Sequence, residues 1–136
     1  MVPIMANHSS VRMLLILTAI AGFSGVLAGT FGAHGLKSRL LPEMLDTFEV
    51  GVRYHLIHAV ALLGLAALRA SVNRKWIVPV GWLFFIGIII FAGSLYALAI
   101  TGEKWLGMVT PFGGQLFLIG WLIIGVGAWR AKTADR

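Results

Sequence analysis

Twenty-six consecutive residues, Trp76 to Thr101, carry no formal charge. Crossing a hydrocarbon core of about 30 Å takes roughly 20 residues of helix at about 1.5 Å each, and a backbone inside lipid must pair its own polar groups, as a helix does. A segment this long and apolar is therefore a membrane span, and the remaining chain has to supply its neighbours. Met13 to Ala33 is a second uncharged run, 21 residues long, and Pro111 to Trp129 is another. A further run, Glu49 to Arg69, is apolar beyond its first turns. The chain is 59% hydrophobic and 12% charged, where soluble proteins average about 25% charged. Spans at about 12–34, 49–69, 76–101 and 111–130 use nearly all of the 136 residues. The expectation is one all-α transmembrane domain, an integral membrane four-helix bundle with no room for a separate soluble catalytic domain.

A cleaved signal peptide is the competing reading of the first run, since Val26-Leu27-Ala28 suits a small-residue cleavage site. The run exceeds the usual h-region of about 7 to 15 residues, which favours a span. Within it Ala21, Gly25, Gly29 and Ala33 form a small-residue stripe that lets another helix approach closely. Leu36 to Thr47 mixes Lys37, Arg39, Glu43 and Asp46 with leucines and a methionine. It reads as a short interfacial amphipathic helix between spans one and two, with Pro42 near its first turn. Ser71-Val72-Asn73 reads as a polar turn, and Thr110-Pro111 as an N-cap followed by proline at the first helical position. A weak repeat aligns Ala28–Ala33 with Ala92–Ala97, suggesting two related hairpins.

A net charge of +6 could suit nucleic acid, but the basic residues stand scattered at the ends of apolar runs, so no nucleic-acid partner is expected. Outside the spans, Arg12, Arg69, Arg74, Lys75, Arg130, Lys132 and Arg136 lie on the side of both termini, against Lys37, Arg39 and Lys104 opposite. The positive-inside bias then puts both termini in the cytoplasm. His34, the stretch from Glu49 to His58, Tyr96, Thr110 and Gln115 fall in the non-cytoplasmic half. The absence of cysteine excludes disulfides, thiolate metal sites and a cysteine nucleophile.

The second span carries the chemistry. Asp46, Glu49 and Arg53 fall at about 60°, 0° and 40° on a helical wheel, so they share a face, while His58 near 180° and His55 near 240° point elsewhere. Glu49 and Arg53 stand at i,i+4 in the favourable order, and an ion pair fixing helix register is expected. If Arg69 marks one membrane boundary, Arg53 lies roughly 6 Å inside the other, and ionisable groups at that depth point to a site. The candidate cluster is His34, Glu49, Arg53, Tyr54, His58, Ser94, Tyr96, Thr110 and Gln115, with His58, Tyr96 and His34 lining a cavity open to the non-cytoplasmic side. His55 and His58 at i,i+3 could hold a metal with His34, and His34 with His58 could hold haem. The lack of a cysteine or inward carboxylate beside them weighs against the metal, and no cofactor is expected. Ser94, Glu49 and His58 are residue types a hydrolase uses, but no nucleophile motif surrounds Ser94.

Four ordered motifs resemble a known family: Phe31-Gly32-Ala33-His34-Gly35-Leu36; Phe48-Glu49 with Val52-Arg53-Tyr54 and His58-Ala59; Gly93-Ser94-Leu95-Tyr96; and Thr110-Pro111-Phe112-Gly113-Gly114 with Gly120-Trp121. They are similar to the small membrane proteins grouped as domain of unknown function 423, which eukaryotic transmembrane protein 256 also resembles. The resemblance covers residues 12 to about 130. It implies a four-span bundle in the bacterial plasma membrane and a loose link to membrane integrity, and it brings no activity. Ala92, Val50 and His55 stand where the family pattern has serine, threonine and glutamine. The last departure counts against His55 and His58 being a required metal pair.

The expected function is non-enzymatic: a polar pocket in the non-cytoplasmic half that takes a lipid headgroup, a small ligand or a partner helix. Its partners would be membrane lipids, further copies of the chain or another membrane protein. The alternative is a small transporter or channel subunit in which Glu49, Arg53 and His58 line a path. Spans three and four carry no charged side chain in their membrane interior, so one bundle offers no polar relay across the membrane. The charge distribution makes a direct prediction: a reporter fused after Arg136 is active only in its cytoplasmic form, and a periplasm-type signal contradicts the four-span topology.

Overall fold

The computed structural model describes residues 4–72 and 74–134, with side chains for 8–72 and 74–131. Asn73 of the expected turn, the side chain of Lys132, and Arg136 lie outside the described residues. Helix α1 (Ile4–Thr30) runs into a π-helical segment, Phe31–Leu36, and is followed by α2 (Pro42–Ser71) and α3 (Ile77–Thr101). A 3₁₀ turn, Lys104–Met108, leads into α4 (Thr110–Ala134). All four helices are long and apolar enough to cross a membrane, and their short connections make successive helices antiparallel neighbours.

The short interfacial helix expected between spans one and two does not form. Leu41 is extended (φ −61°, ψ 148°) and Pro42 opens α2 itself, at the position where a missing N–H leaves nothing unpaired. Residues 42–47 are thus the first turns of the second span. The apolar side chains expected to dip into lipid, Leu36, Leu40, Met44 and Leu45, pack with Phe48 and Ala99 inside the protein. At 30 residues, α2 is about 45 Å long, and His55 and His58 straddle its middle instead of sitting near its N-terminal end.

The central pair is α2 and α3; α1 lies along α2 with a marginal approach to α3, and α4 lies along α3. Leu14, Leu62, Ile77, Val80 and Phe84 are wholly inaccessible at their shared core. The small-residue stripe of α1 faces α2: a Cβ on Gly25 would meet Leu56 and His55, and one on Gly29 would meet Val52. A π-helical turn is wider than an α-turn, so Ala33 is turned outward and Gly32 lies against Phe48 in its place. That π segment also separates the two stretches aligned as a repeat, since Ala92–Ala97 stays α-helical. Gly102, at φ 73°, ends α3, and its N–H reaches Leu98 O at 2.8 Å, a left-handed cap that glycine adopts without strain.

Between α3 and α4 the approach is close because glycines allow it. Phe117 fills the space over Gly87, Phe84 that over Gly120, and the backbone of Phe91 lies where a Cβ of Gly113 would stand. Backbone cannot be displaced as a flexible side chain can. Gly113→Val is therefore expected to lower stability by about 1–3 kcal/mol or prevent folding. Gly125→Ala, with nothing within 4 Å of the added Cβ, should be neutral or slightly stabilising. Detergent melting curves that do not separate the two variants would contradict this packing.

Candidate functional site

The helices α2 and α4 have no close backbone approach among the described residues, and aromatic rings fill the space between them. His58, 3% exposed, stacks on Phe117 with centroids 3.5 Å apart and planes 8° from parallel. Phe84 meets it edge-on at 5.1 Å. Its Nδ1 lies 2.8 Å from the Tyr54 carbonyl one turn earlier, and the indole N–H of Trp121 points at its Nε2 from 3.1 Å. A carbonyl can only accept and an indole N–H can only donate. The ring therefore carries its proton on Nδ1 and accepts at Nε2. A second proton would face the indole N–H, so His58 is held as one neutral tautomer.

His55, one turn earlier and 6% exposed, links α2 to α1 and α3. Its Nδ1 is 3.0 Å from the Tyr96 hydroxyl on α3 and its Nε2 is 3.2 Å from Ser24 Oγ on α1. Ser24 donates to the Ile20 carbonyl at 2.7 Å, so its oxygen is left to accept from His55 Nε2–H. The hydrogen bonds then run in one direction: Tyr96 O–H to His55 Nδ1, His55 Nε2–H to Ser24 Oγ, Ser24 O–H to Ile20 O. This is a serine–histidine contact with the wrong polarity for catalysis, since an activating base must accept the serine proton. Tyr96 is seated by Phe48, 4.6 Å away between centroids, and by Gly51, where a Cβ would fall 2.8 Å from its ring.

The sequence-derived cluster is divided by the structure. Ser94 and Thr110 meet at 2.6 Å, pinning α3 to the start of α4; Ser94 donates to Phe91 O, and the Thr110 hydroxyl also reaches back to Leu106 O at 3.3 Å. Tyr54 is 41% exposed and packs beside Phe91 and His58. His34, Glu49, Arg53 and Gln115 are exposed. The expected ion pair is absent: Glu49 and Arg53 are not within salt-bridge distance. Both are exposed on the outer surface of α2. The expected cavity of His58, Tyr96 and His34 is likewise absent, because His58 turns to Trp121, Tyr96 bonds His55, and His34 faces outward. Among the described residues no three metal-ligating side chains converge, and the nitrogens of His55 and His58 point to different helices.

Sequence reasoning missed Ser24 and Trp121 as site residues and weighed His55 only as a metal ligand. The usable signal was the need of any polar group in hydrocarbon for a partner. Ser24 in the first span and Trp121 in the fourth are such groups.

A family model described as a protein of unknown function, DUF423, matches residues 28–114. A membrane protein of the UPF0382 group from Staphylococcus saprophyticus is 40% identical over 121 residues, 88% of this chain and 98% of the relative. YwdK, a UPF0382 membrane protein of Bacillus subtilis, is 40% identical over 118 residues, 86% and 96% of the two chains. The chain belongs to the DUF423/UPF0382 family. A UPF0382 membrane protein of Haemophilus influenzae is 40% identical over 121 residues, 88% of this chain and 95% of the relative. No solved structure matches. The DUF423 match spans the π-helical segment, His55, His58, Tyr96, Ser94 and Thr110 of this multi-span bacterial membrane protein, while Ser24 and Trp121, the partners of the two histidines on α1 and α4, lie outside the matched residues.

The interhelical bond from Trp121 to His58 can be isolated. Trp121→Phe and His58→Phe should each destabilise the bundle in detergent. The double variant should lose less than their sum, by about 0.6–1.7 kcal/mol, the scale of hydrogen bonds between membrane helices. Additive losses would show that the pair does not interact.

Proposed function

We propose that the protein is a non-enzymatic bundle of the bacterial plasma membrane, with both termini cytoplasmic, that holds the hydrocarbon part of a phospholipid between α1 and α3. One observation carries the reading. The four ring nitrogens of His55 and His58 are all engaged within the bundle, while the open groove beside His55 and Tyr96 has a volume of about 550 Å³ and is walled by carbon from Leu27, Phe31, Phe48 and Ile100. A headgroup or small polar ligand would need donors and acceptors that this groove does not offer. A hydrocarbon chain needs shape and apolar surface. The excess of basic residues on the termini side supports the orientation. Glu49 and Arg53 on the outer surface and His58 in an aromatic seam share no path, which favours binding over transport.

Ile100, 54% exposed, borders the groove without entering the core, so Ile100→Trp should fill it and leave the fold intact. The expected outcome is loss of phospholipid retained through purification. Leu118→Trp, at a residue 71% exposed on α4, should retain it. Equal retention by both variants contradicts the proposal, as does a photoreactive residue at Ile100 that captures a second protein chain in place of lipid.

A further inference from the structure

At the end that holds both termini, the start of α3 and the last turns of α4 frame a second pocket of about 400 Å³. Its polar rim is Arg74 and Arg130, its side wall Trp76, and its floor Ile123, Val126 and Gly127. We propose that this pocket is a binding site for an anionic phospholipid, its phosphate at the arginines and an acyl chain along α4. The inference is independent of the groove between α1 and α3.

The layout follows the layers of a lipid. Val126 lies four residues, about 6 Å, inside Arg130 along α4, and Ile123 lies about 10 Å inside, which is the order of phosphate and then aliphatic chain. Trp76 stands between the two levels, where an indole suits the interface. Gly127 is what allows that position, since a Cβ there would fall 2.6 Å from Trp76 Nε1. The indole N–H has no acceptor among the described residues, so it adds a neutral donor to the rim.

The charge argues for an anionic lipid in particular. The described carboxylates, Glu43, Asp46, Glu49 and Glu103, all lie toward the opposite end, where they balance Lys37, Arg39, Arg53 and Lys104. The termini end carries seven basic residues against Asp135 in the sequence. Arg130 has a partner of its own within the chain, so the site rests first on Arg74, whose planar guanidinium can bind two phosphate oxygens at once. A zwitterionic headgroup would bring its own cation against these arginines.

The test uses the full chain in detergent and native mass spectrometry with phosphatidylglycerol and phosphatidylcholine of identical acyl chains. Wild-type protein should retain phosphatidylglycerol in preference, and Arg74→Gln should weaken that retention about tenfold. Lys75→Gln, which removes the same charge from the same end without lining the pocket, should change it less than about twofold. Val126→Trp should expel the lipid with every arginine in place, and Val126 is 41% exposed, so the core is untouched. Inorganic phosphate in excess should not displace the lipid. Equal retention of the two lipids, equal losses for Arg74→Gln and Lys75→Gln, full retention by Val126→Trp, or displacement by phosphate alone would each overturn the proposal. Ile100→Trp should leave this retention unchanged, which separates its failure from that of the other groove.

Discussion

Two imidazoles inside hydrocarbon must find partners or be excluded, and the bundle is arranged around satisfying them. His58 donates within its own helix and accepts from Trp121 on α4; His55 accepts from Tyr96 on α3 and donates to Ser24 on α1. A polar group left unpaired in lipid costs several kcal/mol. That cost selects the register at which the other three helices meet α2. Glycines make the geometry reachable: Gly25 admits His55 beside α1, Gly51 admits the ring of Tyr96, and Gly87 admits Phe117.

What sequence could show was set by solvent. The lipid requirement for long uncharged runs is visible in composition, so four spans and an all-α fold could be read directly. The wheel angles separated Glu49 and Arg53 from the histidines, and the structure has the first pair exposed and the second buried. Side-chain partners were a different matter. Which hydroxyl or indole meets an imidazole depends on helix rotation and on the wider turn at Phe31–Leu36, and neither leaves a mark in residue spacing. The charged residues that flank Pro42 suggest a separate interfacial helix, whereas its place at the first position of α2 makes those charges the outer end of a longer span.

The same physics separates interior from surface. At the centre, the polar groups around His55 and His58 are paired with one another. The available chemistry is on the outside, as apolar grooves between helices that touch only along one edge, with arginines at one end. A membrane protein of this size that keeps its polar atoms to itself and offers shaped apolar surface is suited to lipid, and both proposed sites follow from that division.

The claim on which the account depends is the opposite polarity of the two rings. Nitrogen-15 spectra of histidine-labelled protein in a bilayer read it directly. The account predicts Nδ1 protonated and Nε2 bare in His58, and Nε2 protonated and Nδ1 bare in His55, each assigned by its loss in a single substitution. The same tautomer at both positions, or a doubly protonated ring at either, would contradict it.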